Sequence, residues 1–102
     1  MRYKQAMGSG GSSKRMRAVF SGRVQGVGFR YTVCRAAEAF DVTGFVRNLW
    51  DGDVELVSEG AEQELVGLLH AVRGSCLRRN ITAEQVRWEA ATGEFDRFGI
   101  TY

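Results

Sequence analysis

The sequence predicts a small α+β fold in which two helices cover one face of an antiparallel sheet. Patterns typical of strands and helices follow one another in the order β-α-β-β-α-β, with a short extra strand at the C-terminus. An Asp-Gly pair separates the second and third strand patterns, as in a tight hairpin turn. With 102 residues, of which 44% are hydrophobic, the chain has room for one hydrophobic core. This order of elements is typical of a split βαβ sandwich with strands one and three at its centre.

The N-terminal residues show no periodicity and end in a Gly/Ser run that is typical of linkers. We therefore assign residues 1–14 to a disordered leader or linker and residues 15–102 to the folded domain. Met16 stands directly before the first strand pattern and is a possible natural start of the protein.

The remaining elements follow from hydrophobic periodicity. Apolar residues alternate from Met16 to Phe20 and predict the first strand, which a glycine-rich joint follows. Apolar residues from Phe29 to Phe40 recur at helical spacing and predict the first helix, which Asp41 ends. The later elements are a hairpin with strands at 42–49 and 53–58 around Asp51-Gly52, a helix with apolar residues from Leu65 to Val72 that ends at Gly74, and strands at 86–90 and 98–102.

Composition and charge exclude several classes of function. The net charge is only +2 and basic residues are scattered among acidic ones, so no nucleic-acid partner is expected. No apolar run approaches the ~20 residues that span a bilayer, and no signal peptide is present, so we expect a cytoplasmic protein without a membrane partner. Cys34, Cys76 and the single histidine, His70, lack the spacing of metal ligands, so we expect no metal, no cofactor and reduced thiols. We also expect a monomer.

The joint "SGRVQGVGFRY", residues 21–31, has the features of an anion site. It lacks the Gly-Lys of a Walker loop, and Tyr31 stands where a dinucleotide-binding loop needs its third glycine. The next helix opens without a capping side chain, and Arg30 lies in its first turn, where positive charge is unfavourable. A small oxyanion such as phosphate, held by that arginine and by backbone amides, would remove this conflict. The alternative is a tight turn with a solvent-exposed arginine.

Asn48 is the polar end of the strand face that Val42, Gly44 and Val46 share. It is either a turn residue that leads into the hairpin or an amide that orients a water molecule. A phosphoryl group held in the joint, without a catalytic histidine or metal cluster, requires a leaving group that needs no general acid, as a carboxylate does. The residues therefore support hydrolysis of a carboxylic-phosphoric anhydride, with Arg30 on the phosphoryl oxygens and Asn48 holding the attacking water.

Two motifs in register make the sequence similar to a known family. "GRVQGVGFR" (22–30) and "GFVRN" (44–48), followed by Gly52, Val54 and Gly60 at the family's spacing, closely resemble the two signatures of the acylphosphatases. The resemblance covers the chain from Met16 to its end. It implies a ferredoxin-like α/β sandwich and metal-independent hydrolysis of small acyl phosphates to a carboxylate and inorganic phosphate, the latter a product and competitive ligand.

The resemblance also implies a role for each site residue. Arg30 binds the phosphate and Asn48 positions the nucleophilic water, so these two are the predicted catalytic residues. Backbone amides supply the rest of the phosphate cradle, from Arg23, Val24, Gln25, Gly26, Val27 and Gly28. Within this loop the valine side chains need not touch substrate, Gln25 could instead brace the loop, and the alternative for Arg23 is a solvated side chain.

Two alternatives to a free-standing enzyme stay open. One is a non-catalytic anion-binding or regulatory module that kept the loop but lacks turnover. The other is an acylphosphatase-like domain of a larger carbamoyl-transfer protein. The intact pair of Arg30 and Asn48 favours the enzyme.

Overall fold

Five strands form one sheet in the computed structural model, which describes residues 13–102. The sheet order is β4-β1-β3-β2-β5, so the first and third strands lie inside the sheet, as predicted. Two helices complete the fold and confirm the predicted α+β sandwich of ferredoxin-like type. The elements are β1 (Ser13–Gly22), α1 (Phe29–Ala37), β2 (Val42–Asn48), β3 (Val54–Ala61), α2 (Glu62–Arg73), a short 3₁₀ helix (Arg78–Asn80), β4 (Ile81–Ala90) and β5 (Phe98–Ile100).

The short extra strand at the C-terminus departs from the antiparallel arrangement of the other four strands. β5 pairs parallel to β2, with Gly44 opposite Phe98 and Val46 opposite Ile100. β4 runs antiparallel to β1, which makes it antiparallel to β2 as well, so β4 ends at the end of the sheet where β2 begins, two strands away from it. The chain crosses the sheet at that end and therefore enters β5 running in the same direction as β2.

The domain boundary at residue 15 lies inside β1. Ser13 pairs with Ala61, and Lys14 pairs with Gly60 and donates to the Glu62 carboxylate at 2.7 Å. Ser13 and Lys14 are both polar and belong to no alternating pattern, so this part of β1 was not predicted. Backbone hydrogen bonds hold the two residues in the sheet, and these bonds do not depend on the side chains. Residues 1–12 of the expected leader lie outside the described residues.

One layer of side chains between the sheet and the helices forms the core. Every second residue of β1, from Met16 to Phe20, is fully buried, and the helices contribute their apolar stripes. The rings of Phe20 and Phe29 pack edge to face with centroids 5.3 Å apart. This contact joins the last core-facing residue of β1 to the first residue of α1. This contact fixes the distance between the two ends of the glycine-rich loop.

The other face of the sheet carries two buried carboxylates, Glu55 and Glu59, which are 4% and 5% exposed. Glu55 accepts hydrogen bonds from Arg17 at 2.5 Å and from Arg47 at 2.6 Å. The connection from β4 to β5 covers Glu59, which accepts bonds from Arg15 and from the backbone amides of residues 92 and 93. Burial alone would raise the pKa of Glu59, but these hydrogen bonds outweigh it and hold that pKa below its ordinary value.

The substitution Glu59→Gln is expected to make the protein less stable at neutral pH and less sensitive to acid. Because the folded pKa of Glu59 is lowered, its charge stabilises the fold above the unfolded pKa of ~4.3, and this contribution is lost as pH falls through the folded pKa. Urea unfolding should show a loss of about 2 kcal/mol at pH 7 and a smaller difference near pH 3. Glu89→Gln, at an exposed position of β4, is the control; a constant difference between Glu59→Gln and wild type at all pH values would contradict the assignment.

Candidate active site

The loop between β1 and α1 presents a row of unused backbone amides. None of the amides of residues 24–28 has a hydrogen-bond acceptor within residues 13–102. Gly26 and Gly28 have φ angles of 76° and 83°, a left-handed conformation that lets successive N–H groups face one side. Gly28 is also the N-cap of α1, which has no side-chain capping bond and no acidic residue in its first turn. The expected uncapped helix start is confirmed, and its first amides add to the row.

A cavity of about 250 Å³ lies at this loop and brings the two predicted catalytic residues together. Arg30 reaches it from the first turn of α1, and Asn48 reaches it from the end of β2. Its lining residues are Val24, Gly26, Gly28, Phe29, Arg30, Tyr31, Asn48 and Ile100.

Arg30 is the one charged side chain among the described residues that line the cavity. Within residues 13–102 no carboxylate pairs with it, whereas Arg15, Arg17 and Arg47 are all held by buried glutamates. Its guanidinium carbon lies 5.6 Å from the centre of the Tyr102 ring, a cation–π contact that leaves the N–H groups free. A half-buried guanidinium without a protein acceptor is suited to bind the oxygens of an anion.

Asn48 has a buried amide oxygen, Oδ1, that lacks any hydrogen-bond partner in the described part of the chain. Buried polar atoms are nearly always hydrogen-bonded, so this oxygen lacks the partner that a purely structural asparagine would have. The interpretation of Asn48 as a turn residue is wrong, because Asn48 is the last residue of β2 and pairs with Val54. The turn lies beyond it, where Gly52 has a φ angle of 98° and Asp51 accepts a bond from the amide of residue 53.

Gln25 connects the loop to the hairpin that carries Asn48. Its side-chain Nε2 donates to the carbonyl of Leu49 at 2.6 Å and to that of Asp53 at 2.8 Å. Both amide hydrogens are therefore used within the protein. The side chain braces the loop, while the backbone amide of Gln25 stays free for an anion.

The backbone of Arg23 is held in a different way from the rest of the loop. Its amide donates to the Asn80 carbonyl at 2.9 Å, and its carbonyl accepts a bond from the Asn80 side chain at 2.9 Å. The amide of Arg23 is thus engaged, and its side chain is exposed. The row of free amides accordingly begins at Val24, whose side chain is buried in the core, while Val27 is 36% exposed.

The substitution Gln25→Met is expected to lower kcat/KM roughly tenfold, because it removes two hydrogen bonds worth about 1 kcal/mol each and loosens the loop against the hairpin. Steady-state kinetics with an acyl phosphate, the substrate class that the resemblance implies, and inhibition by inorganic phosphate provide the measurement. Gln85→Met, at an exposed position of β4, is the matched control. Unchanged kinetics in Gln25→Met would show that the brace does not act on the site.

Sequence reasoning missed three lining residues, Phe29, Tyr31 and Ile100. Phe29 and Tyr31 flank Arg30, so their proximity could have been inferred from the motif. Ile100 could not, because its position depends on the parallel pairing of β5 with β2.

Residues 13–102 contain neither a group of metal ligands nor a membrane-spanning helix. No three His, Cys, Asp or Glu side chains in this part of the chain are grouped so that they could hold a metal ion. His70 is exposed on α2. No helix of the described chain is long and apolar enough to cross a bilayer.

Fold and cavity together define a small ferredoxin-like sandwich with an arginine and free amides at its first loop. The acylphosphatase family model matches residues 16–100. An acylphosphatase of Methylococcus capsulatus is 42% identical over 87 residues, covering 85% of this chain and 95% of that protein. The crystal structure of acylphosphatase from Bacillus subtilis superposes with a TM-score of 0.80 at 36% identity, covering 87% of this chain and 99% of that one.

A larger protein also contains this fold. The T. kodakarensis HypF structure is 25% identical with a TM-score of 0.71, and the match covers 88% of this chain but 12% of HypF. The family model covers most of this chain, and the match to the Methylococcus capsulatus protein covers most of both proteins. These two matches therefore show the family. The chain belongs to the acylphosphatase family, and the predicted hydrolase class is confirmed.

Proposed function

We propose that this enzyme hydrolyses the carboxyl–phosphate anhydride bond of small acyl phosphates by attack of water on phosphorus. The observation that carries the proposal is the unpartnered oxygen of Asn48, buried at the same cavity as Arg30 and the loop amides. A site that only bound phosphate would have no need of a free acceptor there, because phosphate oxygens accept hydrogen bonds themselves.

The phosphoryl oxygens accept hydrogen bonds from the amides of residues 24–28 and from the Arg30 guanidinium. These donors stabilise the negative charge on the three equatorial oxygens as the transition state forms. Asn48 Oδ1 accepts a hydrogen bond from water, and this orients a lone pair of the water oxygen toward phosphorus. The water oxygen bonds to phosphorus, the acyl oxygen leaves with the electron pair of the broken P–O bond, and the water's protons stay on the phosphate.

The leaving group explains why these residues suffice. A carboxylic acid has a pKa of ~4, so a carboxylate departs at neutral pH without a general acid. A phosphate ester would release an alkoxide or phenoxide and would need a proton donor or a metal ion. We therefore propose metal-independent hydrolysis that is selective for anhydrides over esters.

We also propose that the protein acts as a cytoplasmic monomer. Cys34 and Cys76 are free thiols, which a reducing compartment preserves. The alternative of a domain within a larger carbamoyl-transfer protein stays a prediction that the length of the natural gene tests.

Hydrolysis of benzoyl phosphate, measured beside p-nitrophenyl phosphate with a chelator present, tests the proposed function. We expect rapid cleavage of the anhydride, little cleavage of the ester, no effect of the chelator and competitive inhibition by inorganic phosphate. Phosphate binding without cleavage would contradict the proposal and would indicate a non-catalytic binding module.

A further inference from the structure

Exposed apolar side chains cluster around the cavity. In the described chain, six large apolar side chains are at least 36% exposed, and two of them, Tyr31 and Ile100, line the cavity directly. Two others lie close to it: Val27 belongs to the same loop, and Tyr102 packs against Arg30. Such a concentration of exposed apolar surface at one place is typical of a ligand-binding region.

Burial separates the depth of the cavity from its mouth. Val24 and Phe29 are 1% exposed and form its inner part, whereas Tyr31 is 63% exposed and Ile100 is 39% exposed. The proposed reaction places the phosphoryl group against the loop amides, so the rest of the substrate extends from them toward solvent. Tyr31 and Ile100 are the two exposed apolar side chains in the lining on the solvent side.

The charges of the cavity restrict what the acyl group can be. Arg30 is the one charged lining residue in the described chain, and the proposed reaction commits it to the phosphoryl group. A second negative charge in the acyl group would find no cation in the lining. Apolar atoms, in contrast, would cover the side chains of Tyr31 and Ile100 and remove their surface from water.

We infer that Tyr31 and Ile100 bind the acyl group and make the enzyme selective for aromatic or extended aliphatic acyl phosphates. This inference rests on the proposed function and names its substrate class. Acyl groups that are very small, or that carry a second negative charge, are poorer substrates because they cannot use this apolar surface.

A series of straight-chain acyl phosphates tests the inference directly. Butyryl, pentanoyl and hexanoyl phosphates release carboxylates of nearly equal basicity, so differences among them report contacts rather than leaving-group ability. We expect kcat/KM to rise about two- to fourfold per added methylene, and succinyl phosphate to react roughly tenfold more slowly than butyryl phosphate. Equal values across the series would overturn the inference.

Variants of Tyr31 and Ile100 show whether these two side chains cause the dependence of kcat/KM on acyl chain length. Tyr31→Ser and Ile100→Thr should flatten the dependence on chain length while leaving inhibition by inorganic phosphate unchanged. Trp88→Ser removes an aromatic side chain that is 40% exposed on β4, away from the cavity, and should retain the full dependence. If Tyr31→Ser and Ile100→Thr keep the wild-type dependence, the assignment to these two residues is wrong.

The outcome separates this inference from the function on which it rests. If none of the acyl phosphates is cleaved, including acetyl phosphate, the proposed function fails and the inference fails with it. If all are cleaved with equal kcat/KM, the enzyme hydrolyses acyl phosphates but does not recognise the acyl group, and the inference alone is overturned.

Discussion

Arg30→Ala is expected to abolish turnover and phosphate binding together. The guanidinium has no acidic partner in residues 13–102, so its N–H groups are available for the phosphoryl oxygens in both ground and transition states. Two charged hydrogen bonds of about 1.5–3 kcal/mol each correspond to a loss of roughly 10²- to 10⁴-fold in kcat/KM. Steady-state kinetics and phosphate inhibition measure both effects.

Two further substitutions make the Arg30 result specific. Arg30→Lys should also be poor, because an ammonium cannot reproduce the planar two-oxygen contact of a guanidinium. Arg35→Ala removes an exposed arginine from the last turn of the same helix and should leave kinetics unchanged. Wild-type kcat/KM in Arg30→Ala would refute the proposed role.

Asn48→Ala is expected to lower kcat by about 10²- to 10³-fold while phosphate still inhibits with its wild-type affinity. The reason is that Oδ1 contacts the attacking water rather than the phosphoryl oxygens in the proposed reaction. The buried oxygen has no partner among the described residues, so its removal breaks no internal hydrogen bond. Unfolding of the variant in urea should accordingly change little.

The split between kcat and phosphate affinity distinguishes an enzyme from a binding module. Gln85→Ala, an amide-to-alanine change at an exposed position of β4, provides the control. Equal losses of turnover and phosphate affinity in Asn48→Ala would show that the side chain binds the anion instead of the water. Full activity would exclude Asn48 from the mechanism.

The elements that build the site could be predicted because each depends on local sequence. Alternation in β1, helical spacing in α1 and the uncapped start at Gly28 placed Arg30 at the loop without knowledge of the sheet. Helix α1 nevertheless ends at Ala37 rather than at Phe40, because Phe40 packs against the core from the turn that follows. Apolar spacing alone does not distinguish a residue that is buried on the helix from one that is buried by the turn after it.

Features that depend on contacts between distant segments could not be predicted. Glu55 and Glu59 alternate with apolar residues and so occupy positions that usually face solvent. Glu59 is buried because the connection between β4 and β5 crosses that face, where the Phe95 ring packs on Phe45 with centroids 5.7 Å apart. The side chains of Arg17 and Arg47 contact Glu55 from two neighbouring strands. The hydrogen bond from the Arg23 amide to the Asn80 carbonyl could not be predicted either, because the two residues lie 57 positions apart in the chain.

The most direct test of the central claim is hydrolysis of benzoyl phosphate in water enriched in oxygen-18, followed by mass spectrometry of both products. Attack on phosphorus by a water held at Asn48 places one labelled oxygen in inorganic phosphate and none in benzoate. Label in the benzoate would mean that water attacks the carbonyl carbon instead, and it would contradict the roles proposed for Arg30 and Asn48.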